Sequence, residues 1–203
     1  MIIYILFCIN TLTAQNMREV LQSMPDSILP MFTRNDRLDF IDFVDNSMKA
    51  EVKTRFGDVA EMTVLAEDFC HIKTSEVSSF EIKLLNQGEI ICIVNSIKQD
   101  GWDSSLSFFN NKWECLKSED FFTIPHLSSF IPHPEGMDNS VYQNLLNRAD
   151  IPYFFIQMNA ESQDLRITYS SSAVKDHDYD SLLKPYIHPE LYLHWNGKAF
   201  VEN

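Results

Sequence analysis

Glycine and positive charge are both scarce in this sequence. Five glycines among 203 residues leave few positions suited to a positive φ, so we expect few strained turns. Sixteen Lys and Arg residues against 29 Asp and Glu residues give a net charge of −13. This balance argues against nucleic acid and anionic membrane surfaces as partners, because both attract basic surfaces. Solubility explains the acidity without a specific cationic partner.

The short motifs that mark common catalytic and metal sites are also missing. The sequence contains no C-x-x-C, no H-E-x-x-H, no G-x-S-x-G and no glycine-rich phosphate loop. The six histidines are scattered and lack the helical spacing of a zinc site. We therefore expect no cofactor and no metal site, and a binding protein is favoured over an enzyme.

A long apolar run occurs only at the N-terminus. Residues 1–14, MIIYILFCINTLTA, carry no charge and end in Leu12-Thr13-Ala14 before Gln15, which is typical of a secretory signal peptide. The run is short for a bilayer span, so an uncleaved anchor is the weaker alternative. We predict one mature domain, residues 15–203, that is periplasmic or secreted and not transmembrane after cleavage.

Cysteine is limited to three positions of the predicted mature chain: Cys70, Cys92 and Cys115. Export permits disulfides, but an odd number leaves at least one thiol free. All three lie in apolar, strand-like surroundings, where a free cysteine behaves as a small buried hydrophobic residue. If one disulfide forms, Cys92–Cys115 is the pair that we expect.

Two amphipathic helices are predicted near the mature N-terminus. Residues 16–23 have apolar side chains at helical spacing, and Pro25 ends that helix. A second helix begins after Thr33 or Asn35 as N-cap, with Asp36 in its first turn. We expect its buried face to consist of Leu38, Ile41, Val44 and Met48, widened by Phe40 and Phe43.

Alternating patterns then predict successive antiparallel strands. The predicted strands are Met62–Leu65, Phe69–Lys73, Phe80–Leu85, Glu89–Ile97, Leu106–Phe109, Lys112–Leu116, Tyr153–Met158, Asp164–Ser170, Leu191–Trp195 and Lys198–Val201. Two hairpins are expected, at Asn110-Asn111 and at Asn196-Gly197. The first would place Phe108 opposite Trp113 and Leu106 opposite Cys115. A further helix is expected from Asp138 or Asn139 to Ala149, burying Val141, Leu145 and Leu146.

These elements predict an α+β fold with a mostly antiparallel sheet flanked by amphipathic helices. A helix followed by strands occurs twice along the chain. A second interpretation is therefore that the domain consists of two similar halves, residues 15–118 and 119–203.

The segment MPDSILPMFTRNDRLDFIDFVDNSMKAEV, beginning at Met24, resembles the N-terminal signature of a known family. The family consists of exported proteins of Bacteroidales-type bacteria and is catalogued as domain of unknown function 3256. The likeness continues through Arg55-Phe56-Gly57 and Glu61-Met62-Thr63, and more loosely to the C-terminus. The resemblance implies an exported protein with no assigned activity, and it supplies no functional residues.

Aspartates at every third position form the first candidate site: Asp36, Asp39, Asp42 and Asp45. Successive side chains at this spacing are turned by about 60° around a helix, so the four spread over half its circumference. A solvated helix face is therefore favoured. Asp36 and Asp39 are kept as candidates, through capping, an ion pair, or a hydrolase site completed by a distant histidine.

Aromatic residues near predicted turns form the second candidate site. Trp102, Phe109, Tyr192 and Trp195 could form a protein-contact or sugar-stacking patch, with packing in the core as the alternative.

We therefore predict an exported, non-enzymatic binding module of the cell envelope, with a protein or glycan partner. The alternatives are the hydrolase above and a carrier of a divalent cation or small ligand. For the carrier, Asp176–Asp180 starts like a calcium loop, but Ser181 and Ile187 replace the required Gly and Glu.

Overall fold

The computed structural model describes residues 15–148, 152–171 and 184–202. The predicted signal peptide, residues 1–14, and the acidic segment Asp176–Asp180 lie outside the described residues. Within those ranges the chain has an α+β fold of antiparallel strands and flanking helices, as expected.

Two helices begin the described chain: α1 (Met17–Ser23) and α2 (Arg34–Asp45). The side chain of Asn16 caps α1 by accepting a hydrogen bond from the N–H of Glu19. Thr33 is the N-cap of α2, and with Asp36 it forms a capping box in which each side chain accepts the other's backbone N–H. The cap at Thr33 is thereby confirmed.

The buried face of α2 differs from the predicted one. Arg37, Phe40 and Ile41 are buried, whereas Leu38 and Val44 are half-buried. Met48 is 58% exposed, because the helix ends at Asp45 and the backbone turns into a positive φ at Ser47. The apolar stripe therefore stops before Met48, and an arginine occupies the centre of the packed face.

Seven strands form the first sheet: β1 (Glu51–Lys53), β2 (Val59–Leu65), β3 (Phe69–Ser75), β4 (Ser78–Leu85), β5 (Ile90–Lys98), β6 (Trp102–Asn110) and β7 (Cys115–Leu116). They pair antiparallel in chain order. The alternating patterns predicted six of these strands. The three-residue β1 was missed, since one buried residue between two exposed ones carries little periodic signal.

The hairpin between β6 and β7 has a longer loop than predicted. Phe109 lies opposite Cys115, and Trp113 is in the loop with a φ of 64°. The side chain of Asn110 accepts hydrogen bonds from the N–H groups of Lys112 and Glu114, which stabilises a three-residue loop rather than a two-residue one. The predicted pairings of Phe108 with Trp113 and of Leu106 with Cys115 are therefore wrong.

Among the described residues, the Cys92–Cys115 disulfide considered above is not formed, and Cys70, Cys92 and Cys115 are free thiols. Cys92 lies opposite Phe108 on β6, whereas Cys115 lies opposite Phe109. Neighbouring residues of a strand point to opposite faces, so Cys92 and Cys115 lie on different sides of the sheet. Cys115 is exposed rather than buried.

The second half of the described chain contains short helices and a smaller sheet. The elements are α3 (Leu127–Phe130), α4 (Asn139–Arg148), β8 (Pro152–Met158), β9 (Asp164–Ser171), β10 (Glu190–Trp195) and β11 (Phe200–Glu202). Short 3₁₀ turns occur at Ser118–Asp120 and Lys184–Tyr186, and a further one, Asn86–Gly88, connects β4 to β5. The second sheet has the order β11-β10-β9-β8. Its last hairpin closes between Asn196 and Ala199, so Gly197 is a central residue of the turn, at a φ of 92°.

Asp138 precedes α4 and accepts hydrogen bonds from the N–H groups of Ser140 and Val141. The helix buries Tyr142 and Leu145, whereas Val141 is 44% exposed, contrary to the prediction. The helix therefore packs through the face that contains Tyr142, whose hydroxyl donates to the carbonyl oxygen of Ile131.

Two hydrophobic cores lie on opposite faces of the first sheet. The first core joins α1, α2 and the loop between them to β1–β5, through side chains such as Met17, Phe40 and Ile82. The second core joins the other face to the second sheet and to α3 and α4, through Phe108, Phe154 and others. The first sheet is therefore covered on both faces in its centre, whereas the second sheet has one face in a core.

Candidate functional site

The second sheet has an open face opposite the core. On β8, Phe154, Ile156 and Met158 are buried, so the alternating residues point outward. We call the outward-pointing residues of β8, β9 and β10 the open face: Tyr153, Phe155, Gln157, Asp164, Arg166, Thr168, Glu190, Tyr192 and His194. Its central row runs across three strands, because Gln157 pairs with Arg166 and Arg166 pairs with Tyr192.

An aromatic pair lies at one end of the open face. The rings of Trp102, at the start of β6, and Phe155 stack with centroids 5.0 Å apart and an interplanar angle of 27°. Tyr153 lies beside Gly101, where a Cβ atom would come within 2.8 Å of the tyrosine ring. Within the described chain, Trp102 and Phe155 belong to neither hydrophobic core. Both rings are partly exposed, so they can contact a ligand.

A cleft of about 530 Å³ lies at the other end of the open face. It is lined by Gln157, Met158, Asn159, Ala160, Asp164, Arg166 and Tyr192. The volume is within the range of small-ligand sites, but the lining is more polar than is usual for them. The cleft is therefore suited to a ligand with many hydrogen-bonding groups.

Hydrogen bonds hold the polar side chains of the cleft in place. Arg166 Nη2 donates to Gln157 Oε1 over 2.5 Å, and Arg166 Nη1 lies 3.6 Å from Glu190 Oε1. The Tyr192 hydroxyl donates to the other oxygen of Glu190 over 3.0 Å. The guanidinium group is therefore neutralised and oriented before a ligand arrives.

Asp164, two residues before Arg166 on β9, is also paired. Its carboxylate accepts a hydrogen bond from Ser162 Oγ over 2.6 Å and lies 2.8 Å from Nδ1 of His194. The Ser162 hydrogen bond and then the His194 contact lower the pKa of Asp164 below its usual value. The group is thus a permanent hydrogen-bond acceptor at neutral pH.

The four aromatic candidates lie in different environments. Tyr192 lines the cleft and is 54% exposed, and Trp102 belongs to the aromatic pair. Trp195 is 3% exposed in the second core, where its indole N–H donates to Asn86 Oδ1. Phe109 packs against the first core beside Trp113. The structure therefore brings Trp102 and Tyr192 to one face of the second sheet.

The two aspartate candidates lie on α2, away from the residues that line the cleft. Asp36 accepts hydrogen bonds from Thr33 N–H and Oγ1 in the capping box, and Asp39 is exposed. Among the described residues, neither makes a hydrogen bond or an ion pair with a histidine. Over the same ranges, no group of three or more His, Cys, Asp and Glu side chains is arranged to hold a metal ion.

Sequence reasoning missed Gln157, Phe155, Asp164 and Arg166. A usable signal was present, because Asp164 and Arg166 alternate with the apolar residues Leu165 and Ile167 and must point outward if those are buried. The pattern does not say which strand lies beside which, so it could not place Arg166 between Gln157 and Tyr192.

A protein-family model described as "Protein of unknown function (DUF3256)" matches residues 9–200. The chain belongs to the DUF3256 family. A solved structure described as a domain of an uncharacterized protein from Porphyromonas gingivalis W83 is similar, with a TM-score of 0.72 and 21% sequence identity. The match covers 92% of the DUF3256 chain and 96% of the other chain, and it shows a shared fold.

No curated protein matches this DUF3256 chain. In the ranges that the structure describes, none of the helices is long and apolar enough to cross a membrane.

Proposed function

We propose that this DUF3256 protein is an exported, non-enzymatic binding module of the cell envelope that takes a neutral carbohydrate in the cleft of the second sheet. The observation that carries the proposal is the combination of a polar cleft and an aromatic pair on one open sheet face. Export is supported by the signal-peptide pattern of residues 1–14 and by the resemblance of the chain to exported proteins.

The polarity of the cleft supports a hydroxyl-rich ligand. Guanidinium, amide, carboxylate and phenol groups all line it or lie beside it, so donors and acceptors are mixed. Beyond their contacts with one another, these groups keep further donor and acceptor positions, which the hydroxyl groups of a ligand can fill. An apolar ligand would leave Arg166 and Gln157 without new partners.

The balance of charge supports a neutral ligand. Arg166 is paired with Glu190, and Asp164 is paired with His194. The guanidinium group of Arg166 is therefore already compensated by Glu190, and an anionic group on the ligand would gain little attraction from it. The net charge of −13 further disfavours anionic sugars.

The aromatic residues support a sugar ring. The face of an aromatic ring carries partial negative charge, which attracts the partially positive C–H groups on one side of a pyranose. Tyr192 in the cleft and the Trp102–Phe155 pair supply such faces at two points of the open face. A chain of sugar units across the strands would contact both.

Calorimetric titration of residues 15–203 with a panel of neutral oligosaccharides tests the ligand. We expect binding, and we expect Arg166→Met and Tyr192→Ala to weaken it by about tenfold or more. Arg34→Met is the matched control, because Arg34 is an exposed arginine on α2. The proposal is overturned if no neutral oligosaccharide binds, if only anionic ones bind, or if Arg34→Met weakens binding as much as Arg166→Met does.

The export part of the proposal has its own test. The intact mass of the protein purified from an envelope fraction should correspond to a chain that begins at Gln15. A protein that retains residues 1–14 and stays in the cytoplasmic fraction would exclude export by this signal.

A further inference from the structure

We infer that Glu81 and Lys83 of β4 are positioning residues for the cleft: they reach across from the first sheet and hold the segment Met158–Ala160 in place. The inference rests on the proposed carbohydrate site, which this segment lines. It adds two residues that do not themselves line the cleft.

The two side chains hold the segment at both ends. Glu81 Oε2 accepts a hydrogen bond from the backbone N–H of Met158 over 2.7 Å. Lys83 Nζ donates to the carbonyl oxygen of Ala160 over 3.1 Å. Between them, the backbone N–H of Asn159 donates to the carbonyl oxygen of Asp164, which closes the turn from β8 to β9.

Both charged residues are almost completely buried, Glu81 at 5% and Lys83 at 3% exposure. Lys and Glu are almost never so buried unless they are paired, because desolvation of the charge is costly. Lys83 Nζ also contacts Asp68 Oδ2 at 2.9 Å and lies 5.7 Å from the centre of the Phe69 ring. The hydrogen bonds of Glu81 and Lys83 to backbone atoms of Met158 and Ala160 indicate that these side chains hold this segment.

The surroundings of Glu81 are mostly apolar. Burial raises the pKa of Glu81 to about 7, against lowering contributions from the Met158 hydrogen bond and from Arg166 of β9. Other titratable groups near it are His71 of β3, whose Nε2 is 4.0 Å from Glu81 Oε1, and Lys83 and the buried thiol of Cys92 on the same face of the sheet. The buried thiol of Cys70 lies on the opposite face, in the first core. Burial lowers the pKa of His71, so this histidine supplies little positive charge at neutral pH.

Glu81 should therefore keep its proton while the segment Met158–Ala160 is in place and release it when the segment opens locally. A local opening that hydrates Glu81 returns its pKa from about 7 towards 4.5. Between these pH values the open form binds fewer protons, so opening becomes easier as the pH rises and levels off above pH 7. The cleft segment is most firmly held in mild acid.

Amide hydrogen exchange in the ligand-free chain tests the inference directly. We expect the protection factor of the Met158 amide to fall as the pH rises from about 4.5 to 7, by up to roughly a hundredfold. In Glu81→Gln the amide oxygen can still accept the hydrogen bond but does not titrate, so the factor should not change with pH. In Glu81→Ala it should fall about tenfold or more. Lys73→Ala, on a partly exposed lysine of β3 that pairs with Glu76, is the control.

Titration with the oligosaccharide that binds best provides the second measurement. Glu81→Ala and Lys83→Met should each weaken binding by about tenfold, while Glu81→Gln restores affinity and abolishes its pH dependence. If Glu81→Ala fails to fold, the pH profile of Glu81→Gln decides. Equal Met158 protection in wild type and Glu81→Ala, or a pH-dependent Glu81→Gln, overturns the positioning role. If Met158 behaves as expected but no oligosaccharide binds, the positioning role stands and the carbohydrate proposal fails.

Discussion

At the scale of single residues, the contacts of Arg37 hold the end of α1 and the start of the segment that begins at Met24 in place. Its side chain is 1% exposed and donates to the carbonyl oxygens of Leu21 and Met24 at 2.9 and 2.5 Å. It also forms an ion pair with Asp26, which Arg55 approaches as well. Arg37 therefore pairs carbonyl groups at the end of α1, where the helix itself offers no partners.

Replacing Arg37 tests this role. Arg37→Met retains an unbranched side chain but leaves buried carbonyl groups and Asp26 without their donor, so we expect a loss of about 3–5 kcal/mol in the free energy of unfolding. Arg37→Lys should recover little, because one ammonium group cannot reproduce the planar fork. Urea denaturation measures both. Arg34→Met should stay within about 1 kcal/mol of wild type, and an equal effect of the two methionine variants would contradict the assignment.

At the scale of elements, the capping box distinguishes Asp36 from Asp39. Asp36 accepts from the N–H of Thr33, and Thr33 Oγ1 accepts from the N–H of Asp36. Thr33→Ala and Asp36→Ala should each cost about 1 kcal/mol of stability, whereas Asp39→Ala should change it by less than about 0.5 kcal/mol. The thermal unfolding of the single and double variants measures this. The Thr33 and Asp36 effects should not add, because the two side chains form one unit.

The same helix shows what local patterns predict well. Its N-cap was narrowed to Thr33 or Asn35, because capping chemistry involves residues only a few positions apart. Its buried face was predicted less well, since a hydrophobicity pattern treats Arg37 as a surface residue. The burial of Arg37 depends on carbonyl groups of α1 and Asp26, which lie 11 to 16 positions earlier in the chain. Only the folded structure brings these groups together.

Loops were the least predictable elements. The scarcity of glycine suggested few turns with positive φ, yet four non-glycine residues of the described chain adopt it: Ser47, Asn86, Gln87 and Trp113. Trp113 tolerates this backbone where its ring packs beside Phe109 and its indole N–H donates to Ser23. Contacts with distant residues thus outweigh the local preference for glycine. They also give the β6–β7 hairpin a register that differs from the predicted one.

At the scale of the whole molecule, the candidate site depends on how the two sheets meet. Alternation in β8 and β9 predicts which residues point outward, but the aromatic pair joins Trp102 of the first sheet to Phe155 of the second. Likewise, the cleft segment is held by Glu81 and Lys83, each 77 positions away along the chain. Hydrophobic periodicity cannot predict such pairs, because neither residue affects the pattern of polar and apolar residues around the other.

The contact between the sheets also covers the outer edge of β8, which has no neighbouring strand on that side in its own sheet. The N–H groups of Phe154, Ile156 and Met158 on the outer edge of β8 donate to side chains of the first sheet instead of a neighbouring strand. The acceptors are Asp103, Ser104 and Glu81, at 3.2, 2.9 and 2.7 Å, respectively. An unpaired strand edge promotes pairing with other chains, so these side chains also act against aggregation.

Ser104 allows this arrangement to be tested with little change in volume. Ser104→Ala removes the acceptor of the Ile156 N–H, so we expect a loss of about 1–3 kcal/mol in the free energy of unfolding. Protection of the Ile156 amide against exchange should fall with it. Ser105→Ala is the matched control, because Ser105 is the next residue on the strand and is exposed. If Ile156 stays equally protected in both variants, side chains of the first sheet do not hold this edge, and the second sheet is fixed by its apolar core alone.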